Sequence, residues 1–287
     1  MNTGLGDAYD IGWKLAAVIR GWGHPPGLLA SYEAERRPVA IENVERSGVH
    51  MAVHMQAVAP LAGAGAHELE RDDSEEGRRL RAWVHSHYQE NDGENTDFGV
   101  EMGYRYQSDI ILGTLNGKED DEDNTEPAWD PHVYHPTTWP GGRPPHVFLS
   151  DGSAIFDGFG PHFTLVEFHN LPVNHERGSQ HLVEAASDLG VPLSHMQLLN
   201  EDHAEQVWEK SLVLVRPDSH VAWRGDSVRD LSLARKIIRT AVGYHSAIYS
   251  QSGFNSPDKI PAAFTATSGT TTQVTDYKLD NMGEFRK

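Results

Sequence analysis

Apolar residues recur at steps of three and four through the first twenty positions. Ala8, Ile11, Leu15 and Ile19 share one stripe, which predicts an amphipathic helix. Asn2 and Thr3 are N-cap residue types and Asp7 follows early enough to favour the positive helix end, so the helix starts at the front of the sequence. Gly21-Trp22-Gly23-His24-Pro25-Pro26-Gly27 ends it near Arg20, because the glycines disfavour helix and the prolines lack amide donors. Gly12 costs about 1 kcal/mol relative to alanine in mid-helix, which a close approach by another backbone would explain. After a break at Pro38, Ala40, Val44, Ser47, Met51, Met55 and Val58 keep a helical stripe as far as Pro60, with Met51 and Met55 expected in the core. A Gly/Ala loop follows. Asp73-Ser74-Glu75-Glu76 then resembles a capping box, and Leu80, Trp83, Val84 and Tyr88 give the next helix a buried face down to Asn91. Tyr104, Tyr106 and Ile110 to Leu112 read as a short strand, since β-formers replace the helical pattern.

The pattern changes after an acidic run, Lys118 to Pro127, whose like charges favour a solvated loop. From Pro144 to about Tyr244 short apolar strands alternate with helices. PHVFLS, FTLVEF and HMQLL are strand candidates, with helices around Gln180 to Leu189 and from Leu231 to Val242. Val213 to Trp223 reads as two strands about a Pro217-Asp218-Ser219 turn. Strand, helix, strand, hairpin, helix is the order of a thioredoxin-like domain. Gln251 to Lys287, rich in Ser, Thr, Gly and Asn, has no sustained period and reads as a disordered tail. The expected organisation is therefore a mainly helical 1–117, an acidic loop 118–127, an αβ domain 128–250 and a tail 251–287.

Charge and composition narrow the chemistry. Lys and Arg number 24 against 42 Asp and Glu, a formal net charge of −18 that argues against nucleic acid or an anionic membrane as partner. There is no cysteine, which excludes disulfides, thiolate metal sites and a redox dithiol, so the thioredoxin-like part is expected to be structural. The acidic run is not an EF-hand: Thr125 stands sixth from Asp120, where the loop needs glycine. The pairs His132/His135 and His85/His87 lack further ligands at a suitable spacing, and no metal site is expected. No signal peptide or apolar span is visible, which makes the cytoplasm the expected location.

Six blocks carry a resemblance. Asn2-Thr3-Gly4, Gly6-Asp7-Ala8, Gly12-Trp13-Lys14-Leu15 and Tyr32-Glu33-x-Glu35-Arg36-Arg37-Pro38 resemble, in order and spacing, the end of the flavin domain in FAD-dependent aromatic-ring monooxygenases of the phenol hydroxylase group. Tyr134 to Leu149 and Leu214 to Gly225 are similar to the thioredoxin-like C-terminal domain of the same enzymes. The resemblance implies an α/β fold: a helical remnant of a flavin-binding domain followed by a thioredoxin-like αβ domain. It implies FAD held non-covalently, NAD(P)H as co-substrate, and hydroxylation of a phenolic or related aromatic substrate. In such enzymes the amides at the start of this helix face the flavin ring, which points to Met1, Asn2, Thr3 and Gly4 for flavin contact, with Arg36 or Arg37 forming ion pairs beside them. No G-x-G-x-x-G follows a strand pattern anywhere in the sequence, and Gly63-Ala64-Gly65 is no substitute. The expectation is thus the distal part of a flavoprotein hydroxylase, inactive alone, that could pair as a homodimer or with a complementing flavin-domain chain. A non-catalytic interaction module on the thioredoxin-like half is the alternative.

Overall fold

The computed structural model describes residues 2–61, 67, 74–91, 96–113, 125–169 and 178–244. The tail and most of the acidic run lie outside them. Four helices come first: α1 (Asn2–Ile19), α2 (Pro25–Leu61), α3 (Glu75–Glu90) and the short α4 (Phe98–Met102). Then β1 (Phe163–His169), α5 (Ser179–Asp188), β2 (Leu193–Leu199), α6 (Asp202–Trp208), β3 (Leu212–Val215), β4 (Val221–Gly225) and α7 (Leu231–Ala241) follow in order.

The strands form one sheet in the order β2-β1-β3-β4. β1 runs parallel to β2, with Phe163 beside Leu193, and antiparallel to β3, with Leu165 beside Leu214. This is the thioredoxin-like arrangement. The β3–β4 turn uses Pro217, Asp218 and Ser219 as its sequence suggests, Ser219 taking a positive φ of 62° and donating its amide to Arg216. Alternate residues of the strands feed two cores. Phe163, Leu165, Leu212 and Leu214 meet Leu182 of α5 and Ile237 and Ile238 of α7; Val166, Phe168, Val213 and Val215 meet Trp208 on the opposite face. Trp13, Ala17, Trp22 and Leu28 join the first of these cores, so the opening helices and the sheet share one apolar interior. Trp13 stacks on Trp22, and both meet Phe163 edge-on.

Several expectations change. α1 ends at Ile19 as its sequence indicates, but its buried residues are Asp10, Trp13, Lys14 and Ala17, while Leu15 and Ile19 are exposed. The polar side wins burial because it meets countercharges. Gly12 has open space where a Cβ would stand, so no backbone approaches it. Pro25 and Pro26 open α2, where a missing amide costs nothing, and Pro38 does not break it. Pro38 is solvent-exposed, and what its ring removes is one amide bond to Ala34 within a helix anchored on both sides. Met51 and Met55 are exposed rather than in the core. In α3 only Gly77 and His87 are buried, and Trp83 and Tyr88 are 40% and 37% exposed. Residues 104–112 form no strand; Tyr106 and Leu112 instead dock singly, through amide bonds to Gly141 and Ala222. PHVFLS makes only an isolated bridge, Phe148 to Ala154, and α6 was not legible in the sequence.

The cap of α3 is as expected: Ser74 Oγ accepts from the amide of Gly77 at 2.9 Å. Ser74→Ala is expected to cost about 1 kcal/mol, seen as a lower midpoint in urea unfolding followed by circular dichroism.

Candidate functional site

α1 is aimed by its buried face. Trp13 Nε1 donates to Asp218 Oδ2 at 3.0 Å, and the Tyr9 hydroxyl donates to the Pro217 carbonyl at 2.9 Å, so both side chains grip the β3–β4 turn. Beneath them Arg216 forks across three carboxylates: Glu35 at 2.7 and 2.8 Å, Asp218 at 2.5 and 3.1 Å, and Asp10 at 3.1 Å. Lys14 Nζ donates to Glu35 at 2.7 Å and lies 2.7 Å from Asp10 Oδ1, an ion-pair contact whose angle makes no hydrogen bond. The Arg216 guanidinium also lies over the rings of Trp13 and Tyr106. Burial would raise Glu35, but Arg216 and Lys14 outweigh it and hold the carboxyl down to about 2. Asp218 is likewise held well below the carboxylate range, because Arg216 outweighs its burial. Asp10 goes the other way: burial, with Asp218 and Glu35 beside it, outweighs both cations and pushes its carboxyl up to about 7. Three carboxylates against two cations leave one negative charge too many, and a proton on Asp10 removes it.

So held, α1 presents its N-terminus to a cleft of about 810 Å³ lined by Asn2, Thr3 and Gly6, one face of α2, and Asp97, Val100, Glu101 and Tyr104. The α2 face contributes Arg36, Val39, Asn43, Arg46, Ser47 and His50. Arg36 ties the corner together, donating to Asp7 at 2.8 Å, the Tyr106 hydroxyl at 2.9 Å and the Thr3 carbonyl at 3.1 Å. Gly6 is required beneath it, since a Cβ there would stand 2.7 Å from the guanidinium. Asn43 donates to the Thr3 hydroxyl at 3.1 Å. Farther along, buried Asp97 accepts from both Arg46 nitrogens, at 2.7 and 2.9 Å, and from His50 at 2.8 Å. Burial opposes its ionisation, but those bonds from Arg46 and His50 lower its pKa.

Among the residues expected at a flavin, Asn2 and Thr3 line this cleft, Gly4 is exposed and outside its lining, and Met1 is not among the described residues. Arg36 is the ion-pair former beside them; Arg37 pairs with Glu33 on the surface. Arg46, His50, Asp97 and Tyr104 escaped the sequence reading. The polar α2 residues follow Arg36 at steps of seven, three and four (Asn43, Arg46, His50), and this polar period was the available signal. Among the described residues no group of three or more His, Cys, Asp or Glu could hold a metal ion, and no helix is long and apolar enough to cross a membrane.

The donor set fits one edge of a flavin. First-turn amides of a helix have no intrahelical acceptor and carry partial positive charge, and here Asn2 and Thr3 of that turn line the cleft, with Arg36 bound to the Thr3 carbonyl. An electron-rich carbonyl edge that gains negative charge on reduction suits them. A helix pair whose N-terminus meets an open cleft, packed on a thioredoxin-like layer, is the arrangement that the family resemblance implies. Comparison with known proteins makes this specific. Residues 1–47 match the FAD binding domain family and residues 137–243 the aromatic-ring hydroxylase C-terminal family. The FAD-dependent monooxygenase apdD of Emericella nidulans (strain FGSC A4) is 47% identical over 248 residues, 86% of this chain and 38% of the relative. Among solved structures, the rebeccamycin biosynthetic enzyme RebC with reduced flavin is 34% identical with a TM-score of 0.66, over 85% of this chain and 42% of that one. The flavin-dependent monooxygenase PieE in complex with FAD and substrate is 30% identical with a TM-score of 0.61, over 84% and 43%. The chain belongs to the FAD-dependent aromatic-ring monooxygenases and carries their C-terminal portion. It spans less than half the length of these relatives.

Proposed function

We propose that this chain supplies the flavin-facing helix and the bracing αβ domain of an enzyme that uses FAD and NAD(P)H to hydroxylate a phenolic or related aromatic substrate. The observation that carries this reading is the placement of Asn2 and Thr3 at an open cleft, with α1 locked in direction by Arg216 and Arg36. Bound FAD would supply the redox and oxygen chemistry. The chain's part is positioning and electrostatics: amides at Asn2 and Thr3 would hold the ring edge where charge develops, and Arg36 fixes the turn that presents them. Arg36 itself stays a cation, because Asp7 and Tyr106 outweigh the burial that disfavours its charge.

The relatives are more than twice as long as the part the chain matches, and we assign the rest of the FAD site to the polypeptide it does not match. The exposed apolar residues Leu5, Leu15 and Ile19 on α1 support the same reading, since they offer a face for that polypeptide to cover. The test is reconstitution. Purified alone, the chain is expected to be colourless and to oxidise no NAD(P)H when mixed with FAD and phenols. Mixed with the segment of the Emericella nidulans relative that it does not match, it is expected to quench FAD fluorescence and show substrate-stimulated NAD(P)H oxidation. Yellow protein with turnover from the chain alone, or no quenching in the mixture, would overturn the reading.

A further inference from the structure

Asp10 lies fully buried in the middle of α1, and its surroundings leave it short of countercharge. Lys14 faces it from the same helix, Glu35 from α2, and Arg216 and Asp218 from the β3–β4 turn. Tyr106 and His220 stand one layer out, Tyr106 under the Arg216 guanidinium and His220 beside Asp218. Within this cluster Asp10 receives a single bond, from Arg216 to Oδ2 at 3.1 Å, and its enclosed Oδ1 has no hydrogen-bond partner among the described residues. An ionised carboxylate in the interior needs more donors than that, whereas a carboxylic acid does not. The cluster is also joined to the cleft end of α1 by continuous contacts. Arg216 lies over the Tyr106 ring, the Tyr106 hydroxyl accepts from Arg36, and Arg36 donates to the Thr3 carbonyl. Asn2 and Thr3, which line the cleft, precede Asp10 by eight and seven residues, about 12 and 10.5 Å along the helix axis.

We propose that Asp10 is a proton-linked control on the α1 N-terminus: its proton and a negative charge held by the first-turn amides stabilise each other. The inference rests on the flavin reading for the identity of that charge, the ring edge of reduced FAD, and for nothing else. With its proton lost to solvent, Asp10 gives the cluster three carboxylates against two cations, and the net negative charge repels an anion at the helix start. With a proton taken back from solvent the cluster is neutral and the repulsion is gone. For unit charges about 12 Å apart the coupling is about tenfold at an effective dielectric of 20 and about twofold in bulk water. It is reciprocal, so the factor by which the anion raises the proton affinity of Asp10 is the factor by which the protonated chain holds the anion more tightly. Asp10 is the member of the cluster that responds near neutrality: burial, with Asp218 and Glu35, outweighs Arg216 and Lys14 and pushes its carboxyl up to about 7. Glu35 and Asp218 are held far below that range against their burial, chiefly by Arg216, and stay ionised.

The test reads one carboxyl of the full chain and needs no cofactor. With aspartate carrying carbon-13 at the side-chain carboxyl, NMR follows Asp10 across the pH range, its resonance assigned by coupling to the Asp10 backbone and by its absence in Asp10→Asn. The midpoint is expected near 7. Asn2→Asp places a fixed negative charge at the cleft end of α1 and is expected to move that midpoint up by about 0.3 to 1 pH unit, the span given by effective dielectrics of 80 and 20. Asn2→Lys is expected to move it down by a similar amount. Both changes are at an exposed first-turn position, and circular dichroism is expected to be unchanged. In the mixture with the complementary segment and FAD, anaerobic reduction by dithionite is expected to move the same resonance upward. Failure of the mixture to bind FAD would overturn the flavin reading, while the two Asn2 variants still decide the coupling in the chain alone. An Asp10 carboxyl ionised throughout pH 5 to 8, a midpoint that neither variant moves or that both move the same way, or bound FAD whose reduction leaves the resonance in place would overturn the proposal.

Discussion

Arg216→Met is expected to destabilise the fold by about 3–5 kcal/mol, the largest single loss from any substitution considered. Methionine fills much of the same volume, so the effect isolates charge. Arg216 is fully buried and has the bonds of Glu35, Asp10 and Asp218 converging on it; without it only Lys14 is left to offset three buried carboxylates. Those groups would have to take up protons or draw in water, and either route loosens α1 from the β3–β4 turn. Urea unfolding monitored by tryptophan fluorescence measures this, since Trp13 and Trp22 lie next to the network. Arg216→Lys is expected to fall between, because an ammonium keeps the charge but cannot fork to three acceptors. A loss below 1 kcal/mol for Arg216→Met would show that the network is strained or wet rather than a lock.

Asp10 governs the second expected result, a stability that declines toward neutral pH. Its carboxyl is raised to about 7 in the folded chain, against about 4 when unfolded. The folded state therefore holds the proton more tightly, and this contribution is complete below pH 4 and lost as pH rises toward 7. At about 1.4 kcal/mol per unit, the loss is on the order of 4 kcal/mol. Glu35 has the opposite sign. Held down to about 2, it stabilises above its unfolded value near 4.5 and loses that contribution as pH falls toward 2. The two place the stability optimum on the acid side of neutrality. Asp10→Asn keeps the neutral shape and is expected to flatten the profile between pH 5 and 8 while leaving acid unfolding unchanged. Urea midpoints across that range check it; an unaltered slope in the variant would show that Asp10 is ionised throughout.

The αβ part was the most legible in the sequence, and the reason is local. FTLVEF, the Pro217-Asp218-Ser219 turn and the Leu231 helix each combine a period with the turn or cap chemistry that bounds it, and tertiary contacts only confirm what those residues already prefer. α1 and α2 were legible as helices but not in the direction they face. Their apolar stripes point outward because the inward positions are taken by groups whose burial depends on partners far along the chain: Lys14 with Glu35, Asp10 with Arg216. Periodicity counts apolar residues and cannot weigh such pairs. Asn2, Thr3 and Arg36 were recoverable from the family-like blocks. Asp97 was not, since only the folded chain brings it to Arg46 and His50, 51 and 47 positions away.

Arg216 stands 206 positions after the Asp10 carboxylate it meets. A ribosome therefore releases α1 long before the turn that orients it exists, and until then Trp13, Ala17 and its ionisable face have no fixed neighbours. Contacts that close so large a loop form late and slowly. Nascent α1 thus stays available to chaperones while everything up to Arg216 is made, and the alignment of its leading amides matures only after that turn has formed.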